Sequence, residues 1–119
     1  MKALATWPRA ERTGIVGVFT DIDDTLTTDG AITADALGAL TDLKAAGLHV
    51  IPITGRPVGW SEPFAAAWPV DAIVAENGAV AMFREAGALR VEYAQDAATR
   101  ERNAVRLRAV ASQVQREVP

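Results

Sequence analysis

The chain has 119 residues, half of them apolar and 23% charged, proportions of one globular domain that exclude wholesale disorder. Lys and Arg number 12 against 15 Asp and Glu, and the net charge of −3 excludes a strongly basic nucleic-acid binder. With no cysteine there are no disulfides and no thiolate chemistry, and no apolar run is long enough to cross a bilayer.

Residues 1–13 form a polar lead-in with no apolar core segment, so no secretory signal is read there. The expectation is a soluble, cytoplasmic domain without nucleic-acid or membrane partners. Ile15 to Thr20 is apolar and rich in β-branched residues, which predicts a buried strand. Asp21 to Thr33 is dense in Asp, Thr and Gly and reads as a loop. Thr33 caps a predicted helix whose apolar residues are Leu37, Leu40, Leu43 and Ala46, closed by Gly47. Leu48 to Ile53 is a second strand, and Thr54 to Pro57 a loop. Ser61, Glu62 and Pro63 open a short helix to about Trp68, with Trp60, Phe64 and Trp68 read as core or cap-contact residues rather than a stacking site for bases. Ala72 to Ala75 is a third strand, and Glu76-Asn77-Gly78 a turn. Ala79 to Arg84 and Leu89 to Tyr93 read as a hairpin. Asp96 or Thr99 then opens a long helix to about Glu117, with an apolar stripe of Leu107, Val110, Val114 and Val118.

Strands alternating with helices predict an α/β fold, a Rossmann-like parallel sheet with right-handed crossovers, followed by the hairpin. Ligands of such sheets bind beyond the carboxyl ends of the strands. Asp21–Thr25, Thr54–Arg56 and Glu76–Gly78 each follow a strand directly, so three clusters distant in sequence are expected on one edge. Charge is uneven. Residues 1–96 carry 7 basic and 13 acidic side chains, residues 97–119 carry 5 and 2, which sets the last helix apart as a partner surface or a separate element. His49, alone in its strand, is read as structural.

Asp21, Asp23 and Asp24 crowd three carboxylates after the first strand, and Asp29 follows closely. Like charges this close repel unless a cation sits among them, and an all-oxygen donor set suits Mg²⁺. The alternative is a solvated turn in which Asp caps backbone N–H groups.

DIDDTLTTDG resembles the first motif of the haloacid dehalogenase superfamily, Asp-x-Asp-x-Thr, and ITGRP, Ile53 to Pro57, resembles its second. ENGA, Glu76 to Ala79, is similar to the segment after the third strand in the branch of Cof-type, sucrose-phosphate and mannosyl-3-phosphoglycerate phosphatases. The resemblance spans residues 15–84. It implies that Asp21 is a nucleophile forming an aspartyl-phosphate. Asp23 would be the acid and base that protonates the leaving oxygen and then activates water. Mg²⁺ would be held by the Asp21 carboxylate and the Asp23 backbone carbonyl. Thr54 would hydrogen-bond the phosphoryl oxygens, with Gly55, Thr25 and loop N–H groups in the cradle and Thr25 also bracing the loop. Arg56 and Asn77 are positioning candidates, whose plainer readings are a surface ion pair and a turn residue with positive φ.

The superfamily's third motif, a Lys, and its fourth, an acidic pair after a later strand, have no counterpart here. Lys2 and Lys44 are the chain's only lysines, and neither stands where the third motif belongs. The implied organisation is the N-terminal part of a HAD core over 1–84, then the end of the hairpin and the first helix of an α+β cap over 85–119. The implied activity is a Mg²⁺-dependent phosphatase of small phosphorylated metabolites, sugar or polyol phosphates, with this part alone inactive or very weak. Two rivals stand beside it. One is a non-catalytic remnant that binds metal or a partner, with self-association through helix 97–117 as one use of its stripe. The other is a receiver-type phospho-acceptor domain.

Overall fold

A computed structural model describes residues 3–118. The lead-in contains two short helical turns, a 3-10 turn at Leu4–Thr6 and α1 at Arg9–Arg12, neither with a buried residue. β1 is Gly17–Asp21, β4 is His49–Ile53 and β5 is Ala72–Ala75. They run parallel in the order β1-β4-β5, and the sheet continues antiparallel through β6, Val80–Glu85, and β7, Ala88–Tyr93. The expected α/β, Rossmann-like architecture with its hairpin is therefore the fold observed, the hairpin joining the same sheet.

β1 begins later than expected and includes Asp21, because Asp21 still pairs in register with Ile53. The segment read as one loop holds a small hairpin, β2 at Thr27–Thr28 and β3 at Ala31–Ile32. Asp29 (φ 51°) and Gly30 (φ 77°) make its two-residue turn. Asp-Gly is the pair that accepts left-handed backbone at both positions of such a turn.

α2, Ala34–Ala45, starts where the Thr33 hydroxyl accepts the Ala36 N–H at 3.4 Å. It ends before Gly47, whose φ of 79° few other residues adopt without strain. α3 is Val58–Ala67, three residues earlier at its start than the Ser-Glu-Pro signal implies, with Pro63 inside it. The earlier start has a tertiary cause: the Glu76 carboxylate accepts the Val58 N–H. α4, Ala97–Glu117, is capped by Asp96, which accepts the Thr99 N–H at 2.8 Å.

The core lies on one face of the sheet. Val50, Ile73, Ala75, Val80 and Met82 pack there with Ile22, Leu26, Leu40, Ala65 and Trp68, and Trp60 and Phe64 flank them. Phe64 stacks on Trp68 with ring centres 4.6 Å apart and meets Trp60 edge-on at 4.7 Å, so this aromatic run is packing, as expected. Ile15 to Thr20 was expected to form a buried strand, and this is corrected at Phe19. Phe19 is 70% exposed, and the helices pack chiefly on other strands, α2 on β4 and α3 on β5 and β6. α4 buries no residue, and Val105, Leu107, Val110, Val114 and Val118 are all exposed along it. The radius of gyration, 18.2 Å, exceeds the roughly 13.5 Å of a compact domain this size, as a projecting helix requires. No helix among the described residues is long and apolar enough to cross a membrane.

At the amino ends of the strands, Asp71 receives Lys44 Nζ at 2.5 Å and the Val50 N–H at 2.7 Å, with His49 Nδ1 at 3.6 Å. Burial pushes its carboxyl up, but Lys44, the Val50 N–H and His49 together outweigh that and hold it below the ordinary carboxylate value. Lys44 is thus a structural tie from α2 to the sheet, and His49 an exposed partner in the same cluster.

Candidate active site

Parallel pairing of β1, β4 and β5 brings their carboxyl ends to one edge: Asp21 pairs with Ile53, and Ile53 with Val74. The three loops that leave this edge carry Asp21–Thr25, Thr54–Arg56 and Glu76–Gly78, which meet as the sequence implies.

The first loop is wound around one atom. The carbonyl of Ile22 accepts the N–H groups of Thr25, Leu26 and Thr27 at 3.3, 2.9 and 3.1 Å, and the Thr27 hydroxyl at 3.1 Å. The Ile22 side chain is fully buried, so Asp21 and Asp23 on either side of it are turned outward. Asp24 takes a φ of 55° to complete the turn. The residue expected to brace this loop was Thr25. Thr25 is exposed and its hydroxyl meets no partner among the described residues. The brace is the buried Thr27, because the Ile22 carbonyl lies inside the turn. Nothing in the spacing of Thr25, Thr27 and Thr28 marks which of them points inward.

Thr54 begins the second loop and is 3% exposed. Its N–H donates to the Val74 carbonyl at 2.9 Å, its hydroxyl accepts the Arg56 N–H at 3.1 Å, and its carbonyl accepts the Asn77 N–H at 3.2 Å. The third loop carries left-handed backbone at Glu76, Asn77 and Gly78, with φ of 53°, 55° and 97°. Two of these are not glycine, and such backbone persists only where its surroundings over-determine it. Here the Glu76 N–H donates to the Arg56 carbonyl at 3.0 Å while its side chain accepts the Val58 N–H at 3.0 Å. Asn77 therefore fits the plainer reading of a positive-φ turn residue, and its side chain also lies against Gly55. A Cβ on Gly55 would stand 3.1 Å from Asn77 Oδ1.

Arg56 supplies a cation to one of the crowded carboxylates. Its Nε donates to Asp23 Oδ2 and its Nη2 to Asp23 Oδ1, both at 3.1 Å. That hydrogen bond, and the charge of Asp23 behind it, raise the Arg56 pKa further.

The N–H groups of Asp23, Asp24 and Gly55 find no acceptor among the described residues. These are free donors in the two loops that follow β1 and β4, and free backbone N–H groups suit an anion. Oxygen donors for a hard cation are present in part. The Asp21 carboxylate and the Asp23 carbonyl accept no hydrogen bond among the described residues. No cluster of three His, Cys, Asp or Glu side chains able to hold a metal occurs among them either. The donor set thus fits two positions of a Mg²⁺ shell.

Together these features define a Rossmann-like core with a carboxylate loop and unpaired backbone N–H groups at its carboxyl edge. The sequence pattern of the haloacid dehalogenase-like hydrolases matches residues 18–101, and the chain belongs to that family. A hypothetical protein from Geobacillus kaustophilus HTA426 superposes with a TM-score of 0.63 at 26% identity, over 87% of this chain and 38% of that one. A structure described as showing a conserved trigonal-bipyramidal intermediate in a phosphoryl-transfer superfamily gives 0.53 at 28% identity, over 68% and 31%. BT1666 from Bacteroides thetaiotaomicron, described among phosphatases of the haloalkanoate superfamily, shares the fold, with a TM-score of 0.59 at 22% identity over 92% and 40%. The chain thus spans about two fifths or less of each of these proteins. A search of curated proteins finds no match.

Proposed function

We propose that this chain carries the nucleophile half of a cytoplasmic, Mg²⁺-dependent phosphatase acting on small phosphorylated metabolites, sugar or polyol phosphates, in the Cof-like branch of its family. The observation that carries the reading is the convergence of Asp21, Asp23 and Thr54 on one edge beside unpaired N–H groups of Asp23, Asp24 and Gly55.

In this reading the N–H groups and the Thr54 hydroxyl orient the phosphoryl group in line with the Asp21 carboxylate. Asp21 attacks phosphorus and an aspartyl-phosphate forms as the leaving oxygen departs, taking a proton from Asp23. Asp23 then accepts a proton from the water that hydrolyses the intermediate. A bound Mg²⁺ would take the Asp21 carboxylate and the Asp23 carbonyl and offset the charge brought together there. Lys44 is committed to Asp71 at the far end of the sheet. Lys2 lies outside the described residues. Without a lysine at the cradle among the described residues, residues 1–119 alone should turn over slowly, since one missing charge-stabilising group costs about 10²–10³ in rate.

Beryllofluoride with Mg²⁺ tests the reading without needing turnover. The expected result is a fluoroberyllate adduct on Asp21, seen by fluorine resonance and lost in Asp21→Asn. No adduct would count for the non-catalytic remnant instead, a metal binder if Mg²⁺ still shifts Asp21 or Asp23 and a partner binder if it does not. The engagement of both Asp23 oxygens by Arg56 is what keeps that second reading in view. The receiver-type reading loses its acceptor, because the carboxylate after the third strand, Glu76, is occupied in capping α3.

A further inference from the structure

Arg56 commits each of its polar groups to a different part of the edge. Its guanidinium holds both oxygens of Asp23 in the first loop, its N–H is bound to Thr54 in the second, and its carbonyl receives the Glu76 N–H from the third. Its guanidinium carbon also lies 4.7 Å from the centre of the Trp60 ring. Trp60 meets Phe64 edge-on, Phe64 stacks on Trp68, and Trp68 is 7% exposed. An unbroken series of packed rings therefore runs from the core to the guanidinium that holds Asp23. Exposed ion pairs ordinarily fix little, because both side chains stay mobile. This one is two-pronged, stacked on a ring and tied through its own backbone on both sides. A lysine offers a single point charge and cannot reproduce that geometry.

We propose that Arg56 is a positioning residue that orients the Asp23 carboxylate toward the leaving group, with the Trp60–Phe64–Trp68 stack as its rigid support. The proposal rests on the phosphatase reading for what Asp23 does, and on geometry alone for how Asp23 is held. Each Asp23 oxygen keeps a lone pair beyond the one Arg56 occupies, so the carboxylate remains able to exchange a proton while fixed in direction.

Two measurements on the full chain test it. The first uses p-nitrophenyl phosphate, whose leaving group departs without a proton, and phenyl phosphate, whose leaving group needs one. Arg56→Gln should lower kcat for phenyl phosphate about tenfold more than for p-nitrophenyl phosphate, with KM within about twofold. Arg56→Lys should not restore it. Equal losses on both esters, an effect on KM alone, or full rescue by lysine would overturn the proposal.

The second measurement reads the Arg56 Nε–H by nitrogen-resolved magnetic resonance and needs no activity. It should exchange slowly, and lose that protection in Asp23→Asn while the amides of Ile73 and Met82 stay in place. Exchange as fast as that of the exposed Arg106, or indifference to Asp23→Asn, would overturn the proposal. A wild-type chain that hydrolyses neither ester agrees with the weak turnover expected of residues 1–119, and the Nε–H measurement then decides how Asp23 is held, while the beryllofluoride adduct decides the phosphatase reading.

Discussion

Glu76 and Val58 stand 18 positions apart in sequence, yet the Glu76 carboxylate accepts the Val58 N–H at 3.0 Å. The bond caps α3 from outside its own segment, and the residue at the local cap position, Pro57, makes no side-chain cap. It also joins the loop after β5 to the helix after β4, so one side chain sets both a helix start and the shape of the edge. Glu76→Ala should lower stability by about 1 kcal/mol, the usual cost of a lost cap, and Glu76→Gln by less, since the amide oxygen still accepts. Thermal unfolding of the two variants side by side checks it. Equal stability of wild type and alanine variant would show that the cap contributes nothing.

Thr27 and Thr25 make a matched pair. Thr27→Val removes the buried hydroxyl that donates to Ile22 and should cost about 1 kcal/mol, since a buried partner is lost with no change of shape. Thr25→Val, on the exposed side of the same turn, should stay within about 0.5 kcal/mol. Urea midpoints measure both, and the reverse order would return the brace to Thr25.

Gly17 sits opposite His49 where β1 pairs with β4. A Cβ there would lie 2.9 Å from the backbone oxygen of His49 and 3.0 Å from its Cβ, and backbone cannot step aside as a side-chain tip can. Gly17→Ala should therefore destabilise by about 1–3 kcal/mol, and Gly38→Ala, with open space around it, should not. Denaturant titration of the two separates the clash from any general effect of removing glycine.

Asp71 has a lowered carboxyl pKa, so the folded state holds it ionised more firmly than the unfolded chain does. Its stabilising contribution is present above the unfolded value and drains away as pH falls through the lower folded one. Wild type should lose stability from about pH 5 downward, and Asp71→Asn, already without the charge, should show a shallower acid slope. Unfolding free energies at pH 7 and pH 3 for both proteins give the comparison. Parallel slopes would remove Asp71 from the acid response.

Much of the edge was legible in the sequence because its signals are local. A β-branched run that stops at an Asp-rich segment marks a strand end, and three such ends in βα alternation imply one shared edge. Asp21, Asp23, Thr54, Gly55, Arg56 and Asn77 come together there as that reasoning requires. The start of α3 was misjudged because its cap comes from Glu76, and a distant carboxylate leaves no mark at Val58. Phe19 was expected to be buried because it lies in an apolar strand, whereas burial depends on where the helices pack.

By itself the sequence determined the order of elements, the edge that collects the polar loops, and the identity of the carboxylates on it, since periodicity, caps and strand ends are set by neighbouring residues. Tertiary structure alone decided the rest. It chose Thr27 over Thr25 as the brace, gave Asp23 to Arg56, sent Lys44 to Asp71, and left α4 exposed along its apolar stripe. Each of those outcomes depends on distances between residues far apart in the chain, and such distances exist only once the strands are in register.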